Sequence, residues 1–100
     1  MRARVAIALL ALSSCATRTE HVALFACPGL GDVVVRHHES DADFELPGGR
    51  RFSLPRTIAA SGVRYQQGTT LFWEKGGTAF FDLDGRHYDG CRHDPARTPT

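Results

Sequence analysis

The feature that most restricts the fold is where the turns fall. Pro28-Gly29, Gly31-Asp32, Pro47-Gly48-Gly49, Gly68, Gly76-Gly77 and Asp84-Gly85 are all turn signals. They cut the chain into short stretches that either alternate apolar with polar residues or are rich in β-branched ones. His21–Cys27 sets Val22, Leu24 and Ala26 against His21, Ala23 and Phe25, and Val33–His38 is β-branched. Phe44 and Leu46 alternate with Asp43 and Glu45, and Arg51–Leu54 turns Phe52 and Leu54 inward. Gly62–Gln67, Thr69–Lys75, Thr78–Leu83 and Arg86–Cys91 complete the set, with Asp84-Gly85 as a two-residue hairpin signal. Pro55–Ala60 reads as a connector: the proline biases Leu54 to an extended form, with room for one helical turn at Thr57–Ala60. No stretch carries a helical period of comparable length. Seven or eight short strands in one domain of this size predict an all-β chain whose antiparallel sheet closes into a small barrel or a tight sandwich.

The N-terminal segment has a different character. Arg2 and Arg4 precede an unbroken apolar run, Val5–Leu12, and Ser13, Ser14 and Cys15 follow. Eight apolar residues make roughly 12 Å of helix, far short of the ~30 Å hydrocarbon core. Residues 1–14 therefore read as a signal peptide. The ending Leu12-Ser13-Ser14-Cys15 looks like a bacterial lipobox, in which cleavage leaves Cys15 as a lipidated N-terminus; the alternative is an ordinary secretory signal. Several acyl chains at ~0.8 kcal/mol per buried methylene make such an anchor stable. Residues 15–20 would be a short tether, residues 21–93 the domain, and residues 94–100, with two prolines, a disordered tail.

Three cysteines is an odd number for an exported chain. With Cys15 lipidated, Cys27 and Cys91 remain as a pair near the two ends of the folded segment, in an oxidising compartment. Such a crosslink stabilises by roughly 4 kcal/mol in the chain-entropy model. The rival is a metal site of Cys27, Cys91 and His93, but neither CxxC nor HxxxH spacing is present. No cofactor is expected. The formal net charge of +1, with acids and bases interleaved, argues against nucleic acid as a partner.

Catalytic constellations are weak. His37 and His38 are adjacent, so on a strand they point to opposite faces and cannot chelate one ion. Ser61 and Lys75 lack the SxxK spacing of a serine–lysine hydrolase, since Arg64 stands three residues after Ser61. Asp82 and Asp84 share a face but flank a turn, where acids are usually solvated. The chain reads as a binder and not an enzyme.

One stretch stands apart. Ser61–Gly77 holds the single tryptophan, Trp73, and the single lysine, Lys75, in a chain with eleven arginines. Lysine is a compact charge on a thin stem, and arginine a broad planar fork. On alternation Lys75 shares a face with Leu71 and Trp73, and Val63 shares one with Tyr65. The aromatic hairpin of Phe72, Trp73, Phe80 and Phe81 would hold Lys75 where a partner can reach it.

Ser61-Gly62-Val63-Arg64-Tyr65 followed by Leu71-Phe72-Trp73-Glu74-Lys75-Gly76-Gly77-Thr78-Ala79 resembles the SGxxY and FWxKGxxA blocks of the MliC family, the membrane-bound bacterial inhibitors of c-type lysozyme. Phe25-Ala26-Cys27 is similar to that family's early aromatic-x-Cys, Cys91 to its late cysteine, and Cys15 to its lipoprotein form. The resemblance implies an eight-stranded antiparallel barrel closed by a disulfide, and a c-type lysozyme as partner. It also implies a serine and a lysine, here Ser61 and Lys75, entering the lysozyme cleft. Tyr65 and Trp73, on the same strands, are expected to complete the partner-binding site by bracing them from behind. Two departures are visible: the segment from Cys27 to Ser61 is short, and Gly77 and Thr78 replace a common acidic pair. The expected location is the bacterial envelope, lipid-anchored in the outer membrane and facing the periplasm. The contrasting expectation is a structural, glycan-binding or partner-binding envelope lipoprotein on the same barrel.

Overall fold

The structure is a computed structural model that describes residues 20–99, so Cys15 and the signal segment lie outside the described residues. Eight strands follow one another: β1 (His21–Cys27), β2 (Gly31–His37), β3 (Asp41–Glu45), β4 (Arg51–Thr57), β5 (Val63–Gln67), β6 (Thr70–Lys75), β7 (Thr78–Leu83) and β8 (Arg86–His93). Each pairs antiparallel with the next, and β8 returns to β1, closing a barrel in chain order. Closure removes the free edges that a small open sheet would expose. The connections before β4 are short, so the brief Cys27–Ser61 segment keeps all its strands.

Alternation sorts the side chains, and the barrel interior takes Phe25, Val33, Val35, Phe44, Leu54, Tyr65, Phe72 and Phe81. On β1 it is Ala23, Phe25 and Cys27 that face this core. Phe44 is its hub, meeting Tyr65, Phe72 and Phe81 edge to face at centroid separations of 5.9, 5.2 and 5.5 Å and stacking on Phe52. These are the arrangements the ring quadrupole favours. The Asp84-Gly85 turn has φ of 53° and 78°, the left-handed pair that a two-residue hairpin requires.

One expectation is corrected. No helical turn follows Pro55: β4 runs on to Thr57. Arg56 N–H donates to Ser40 C=O at 2.9 Å, which places Pro55, opposite Asp41, at a non-hydrogen-bonded position of that ladder. Its missing N–H therefore costs β3 nothing, and on its other side pairing with β5 begins only at Arg56↔Tyr65. Beyond β8 the chain packs back on β1 and β2. Asp94 caps a 3-10 turn, Pro95–Arg97, whose Arg97 forks onto Asp32. Both backbone groups of Leu24 are taken by the tail: its N–H donates to Thr98 Oγ1 at 3.1 Å and its C=O accepts from Asp94 N–H at 2.8 Å. Pro95 stands at the start of this turn, where a proline costs no hydrogen bond.

Cys27 and Cys91 form a disulfide that ties β1 to β8. The adjacent histidines part company as their spacing predicted: His38 Nε2 meets Asp43 Oδ2 at 3.0 Å, whereas His37 turns to Tyr65. With the imidazole neutral, the Tyr65 hydroxyl donates to His37 Nδ1 at 2.7 Å. Burial, then the neighbouring His21, Arg56, His38 and His93, lower the His37 pKa below its ordinary 6.5. The folded chain binds fewer protons at this site than the unfolded chain, so stability is complete above about 6.5 and falls as pH drops toward the lower folded value. A urea-midpoint series from pH 8 to pH 5 is expected to decline in that window, and His37→Gln to flatten it. An unchanged slope in the variant would exclude His37 as the source.

Candidate functional site

The site is built by β5–β7 and by the arch that enters β5. Phe72 and Phe81 point into the core, so their neighbours Leu71, Trp73, Lys75 and Phe80 take the outer face, as alternation predicted. Lys75 ends β6. The Gly76-Gly77 turn, with φ of 60° and 84°, returns the chain so that Lys75 pairs with Thr78, whose hydroxyl donates to Lys75 C=O at 3.0 Å. Thr78 thus closes the turn where an acidic residue would have brought charge. Lys75 is exposed, and among the described residues it enters no salt bridge.

Ser61 stands fourteen positions earlier yet reaches the same place. Trp73 Nε1–H donates to the Ser61 C=O at 2.9 Å. Gly62 then crosses β6 at φ +75°, so close that an added Cβ would lie 2.3 Å from Glu74 O and 3.2 Å from both Lys75 Cβ and Trp73 Nε1. Only glycine fits this crossing, for its conformation and for its lack of a side chain. The SGxxY and FWxK blocks are therefore the two halves of one contact. The Arg64 guanidinium covers the Trp73 ring at 5.3 Å, and Phe80 meets its other neighbour side at 5.9 Å, which fixes the indole that holds Ser61.

Ser61, Trp73, Lys75, Thr78, Ala79, Phe80, Asp89 and Gly90 line one open cavity of ≈ 340 Å³. Tyr65 is not among them. It is 1 % exposed inside the barrel, and burial raises its hydroxyl pKa. Its hydroxyl bonds His37 and so ties β5 to β2 across the barrel. Sequence reasoning missed Asp89 and Gly90. The β7–β8 register shifts between Ala79↔Cys91 and Phe81↔Tyr88, so two residues of β8 oppose Phe80 in a bulge that brings Asp89 to the cavity. The signal was Gly90, an isolated glycine within a strand pattern, here at φ +71°. The acids near the β7–β8 turn are engaged elsewhere: Asp82 with His87, and Asp84 with Arg50, whose hydrogen bonds hold the Asp84 carboxyl below its ordinary range.

The pinning makes a testable statement. Gly62→Ala is expected to lift the arch off Trp73 and to cost ~1–3 kcal/mol in strain. Trp73 is the single tryptophan, so its fluorescence reports the arch directly. An unshifted emission spectrum with unchanged stability would show that the arch is not held by this contact.

The fold and site together define a small closed antiparallel barrel with one composite surface site, in which a lysine with no salt-bridge partner among the described residues stands beside a pinned serine. The chain belongs to the family of membrane-bound lysozyme inhibitors of c-type lysozyme (MliC), whose model matches residues 25–89. Over 60 residues it is 33% identical to a membrane-bound lysozyme inhibitor of C-type lysozyme from Yersinia enterocolitica, covering 60% of this chain. The chain spans about half, 51%, of the length of that curated relative. The fold is shared with Pseudomonas aeruginosa MliC, solved in complex with hen egg white lysozyme: TM-score 0.55 and 23% identity over 94% of this chain and 100% of that one.

Proposed function

We propose that this chain is a proteinaceous inhibitor of c-type lysozyme that blocks the catalytic cleft with Lys75 and Ser61. One observation carries the reading: Ser61, held by Trp73 and Gly62, stands beside a lysine with no salt-bridge partner among the described residues. A retaining glycosidase cleft carries two carboxyl groups about 5–5.5 Å apart. An ammonium on a slender stem fits such a slot, and a serine hydroxyl beside it can both donate and accept. The family and the complexed relative supply the partner class. The test is direct: the chain is mixed with a c-type lysozyme and lysis of cell walls is followed. Inhibition competitive with the wall substrate is expected, and uninhibited lysis at micromolar protein would refute the reading.

Anchoring belongs to the same proposal. Cys15 carries lipid and holds the domain at the membrane of the envelope, in the outer membrane since Ala16 follows it. Cys15→Ala is expected to move the protein from the membrane to the soluble fraction, and a wholly soluble parent would overturn the anchor. The contrasting glycan-binding reading draws on the outward Trp73 and Phe80. It predicts retention on cell-wall glycan with no effect on lysozyme, so the same mixing experiment separates the two.

A further inference from the structure

Ile58 is 95% exposed, the only large hydrophobic side chain so placed among the described residues. A single exposed isoleucine needs no explanation on a globular surface. This one stands on the arch that carries Ser61, and the arch is fixed at both feet. Thr57 pairs with Arg64 at its base, and Ser61 and Gly62 are clamped to β6 at its far end. The arch is a ridge between two depressions. One is the cavity of Ser61 and Lys75; the other, of ≈ 440 Å³, is lined by residues that include Glu39, Arg56, Ile58 and Gly62. Ile58 therefore projects from the flank of the ridge opposite Lys75, three positions before Ser61.

We infer that Ile58 is a second, apolar contact of the inhibitor, packing against the wall of the partner's cleft while Lys75 reaches its floor. The inference rests on the reading that the arch enters a c-type lysozyme cleft. The chemistry of such a cleft suits an apolar contact. Clefts that bind small ligands are lined mainly by apolar and aromatic side chains, with few polar groups. A carboxyl kept protonated as a general acid needs an apolar surround. A ridge that enters such a cleft meets apolar wall before it meets carboxylate. A β-branched side chain has few rotamers to lose, and a fixed arch has little backbone freedom to lose, so the contact is pre-organised. Lys75 recognises the charge of the catalytic pair, and Ile58 recognises the shape of the wall beside it.

The experiment measures inhibition of hen egg white lysozyme by the full chain and by Ile58→Ser, Ile58→Leu and Lys75→Ala, with the unfolding midpoint of each. A side chain this exposed contributes little to folding, so the Ile58 variants are expected to unfold with the parent. Ile58→Ser is expected to weaken inhibition by roughly 10- to 100-fold, as loss of a buried aliphatic contact does. The change should sit mainly in the dissociation rate. Ile58→Leu is expected to stay within a few-fold of the parent. If Ile58→Ser inhibits like the parent while Lys75→Ala fails, the apolar contact is wrong and the cleft mechanism stands. If Ile58→Ser fails while Lys75→Ala inhibits normally, the apolar contact stands and cleft insertion of Lys75 falls. A parent that does not inhibit removes both.

Discussion

Lys75→Ala is expected to weaken inhibition of a c-type lysozyme by roughly 30-fold to several-thousand-fold, the loss typical when one partner of a buried, charge-assisted pair is truncated. The reason lies in what the partner is left with. An ionised carboxylate in the closed cleft loses its counter-charge and cannot recover its hydration. Much of the loss is that penalty rather than the worth of the bond itself. Lys75→Arg separates charge from shape. It keeps the cation but sets a planar fork on a site reached through a Gly-Gly turn and crowded by the Ser61 arch, so it too should lose substantially. Ser61→Ala removes a neutral hydroxyl and should lose about 1–2 kcal/mol. Lys75 is exposed, so circular dichroism and the denaturation midpoint of its variants should match the parent. Parent-like inhibition by folded Lys75→Ala would end the cleft-insertion mechanism even for a true lysozyme inhibitor.

Much of this site was legible before any coordinates, and the reasons are physical. Alternation around Phe72 and Phe81 settles which face Trp73 and Lys75 occupy, because a one-residue slip would bury the lysine. Turn chemistry at Asp84-Gly85 and Gly76-Gly77 fixes the hairpins. The joining of Ser61 to Lys75 was legible only through resemblance. It depends on Gly62 crossing Glu74 O and on the Trp73 indole, contacts between segments that no local period encodes. Asp89 was missed because a bulge breaks the period from which faces are read. The course of β4 past Pro55 was missed because a proline's harm depends on which ladder its nitrogen faces, a property of register and not of sequence. The contacts of Thr98 and Arg97 were not legible because their partners, Leu24 and Asp32, are some seventy residues away along the chain.

Loss of the Cys27–Cys91 disulfide is expected to destabilise the domain by ~2–5 kcal/mol, a large share of the 5–15 kcal/mol typical of a folded domain. The topology explains why. Seven of the eight seams join neighbours in sequence, but β1 and β8 meet from opposite ends of the chain, and their register holds only Phe25↔His93 and Ala26↔Arg92. The crosslink spans a sequence separation of 64, so in the chain-entropy model it removes about 4 kcal/mol of unfolded-state freedom. Both half-cystines are buried in the core, so their separation also disturbs packing. The damage should be directional. Hydrogen-exchange protection should fall first at Leu24 and Asp94, whose backbone N–H groups bond between β1 and the tail that follows β8. The β5–β7 hairpins that hold Ser61 and Lys75 are local pairings and should persist longer. Asp89 and Gly90 immediately precede Cys91, so the bulge side of the cavity should loosen with the seam. The measurement compares urea midpoints and amide exchange for the parent, the reduced parent and Cys27→Ala/Cys91→Ala. Reduced parent and double variant are expected to fall together. If the double variant unfolds with the oxidised parent, the barrel is closed by packing alone and the disulfide contributes nothing to its stability.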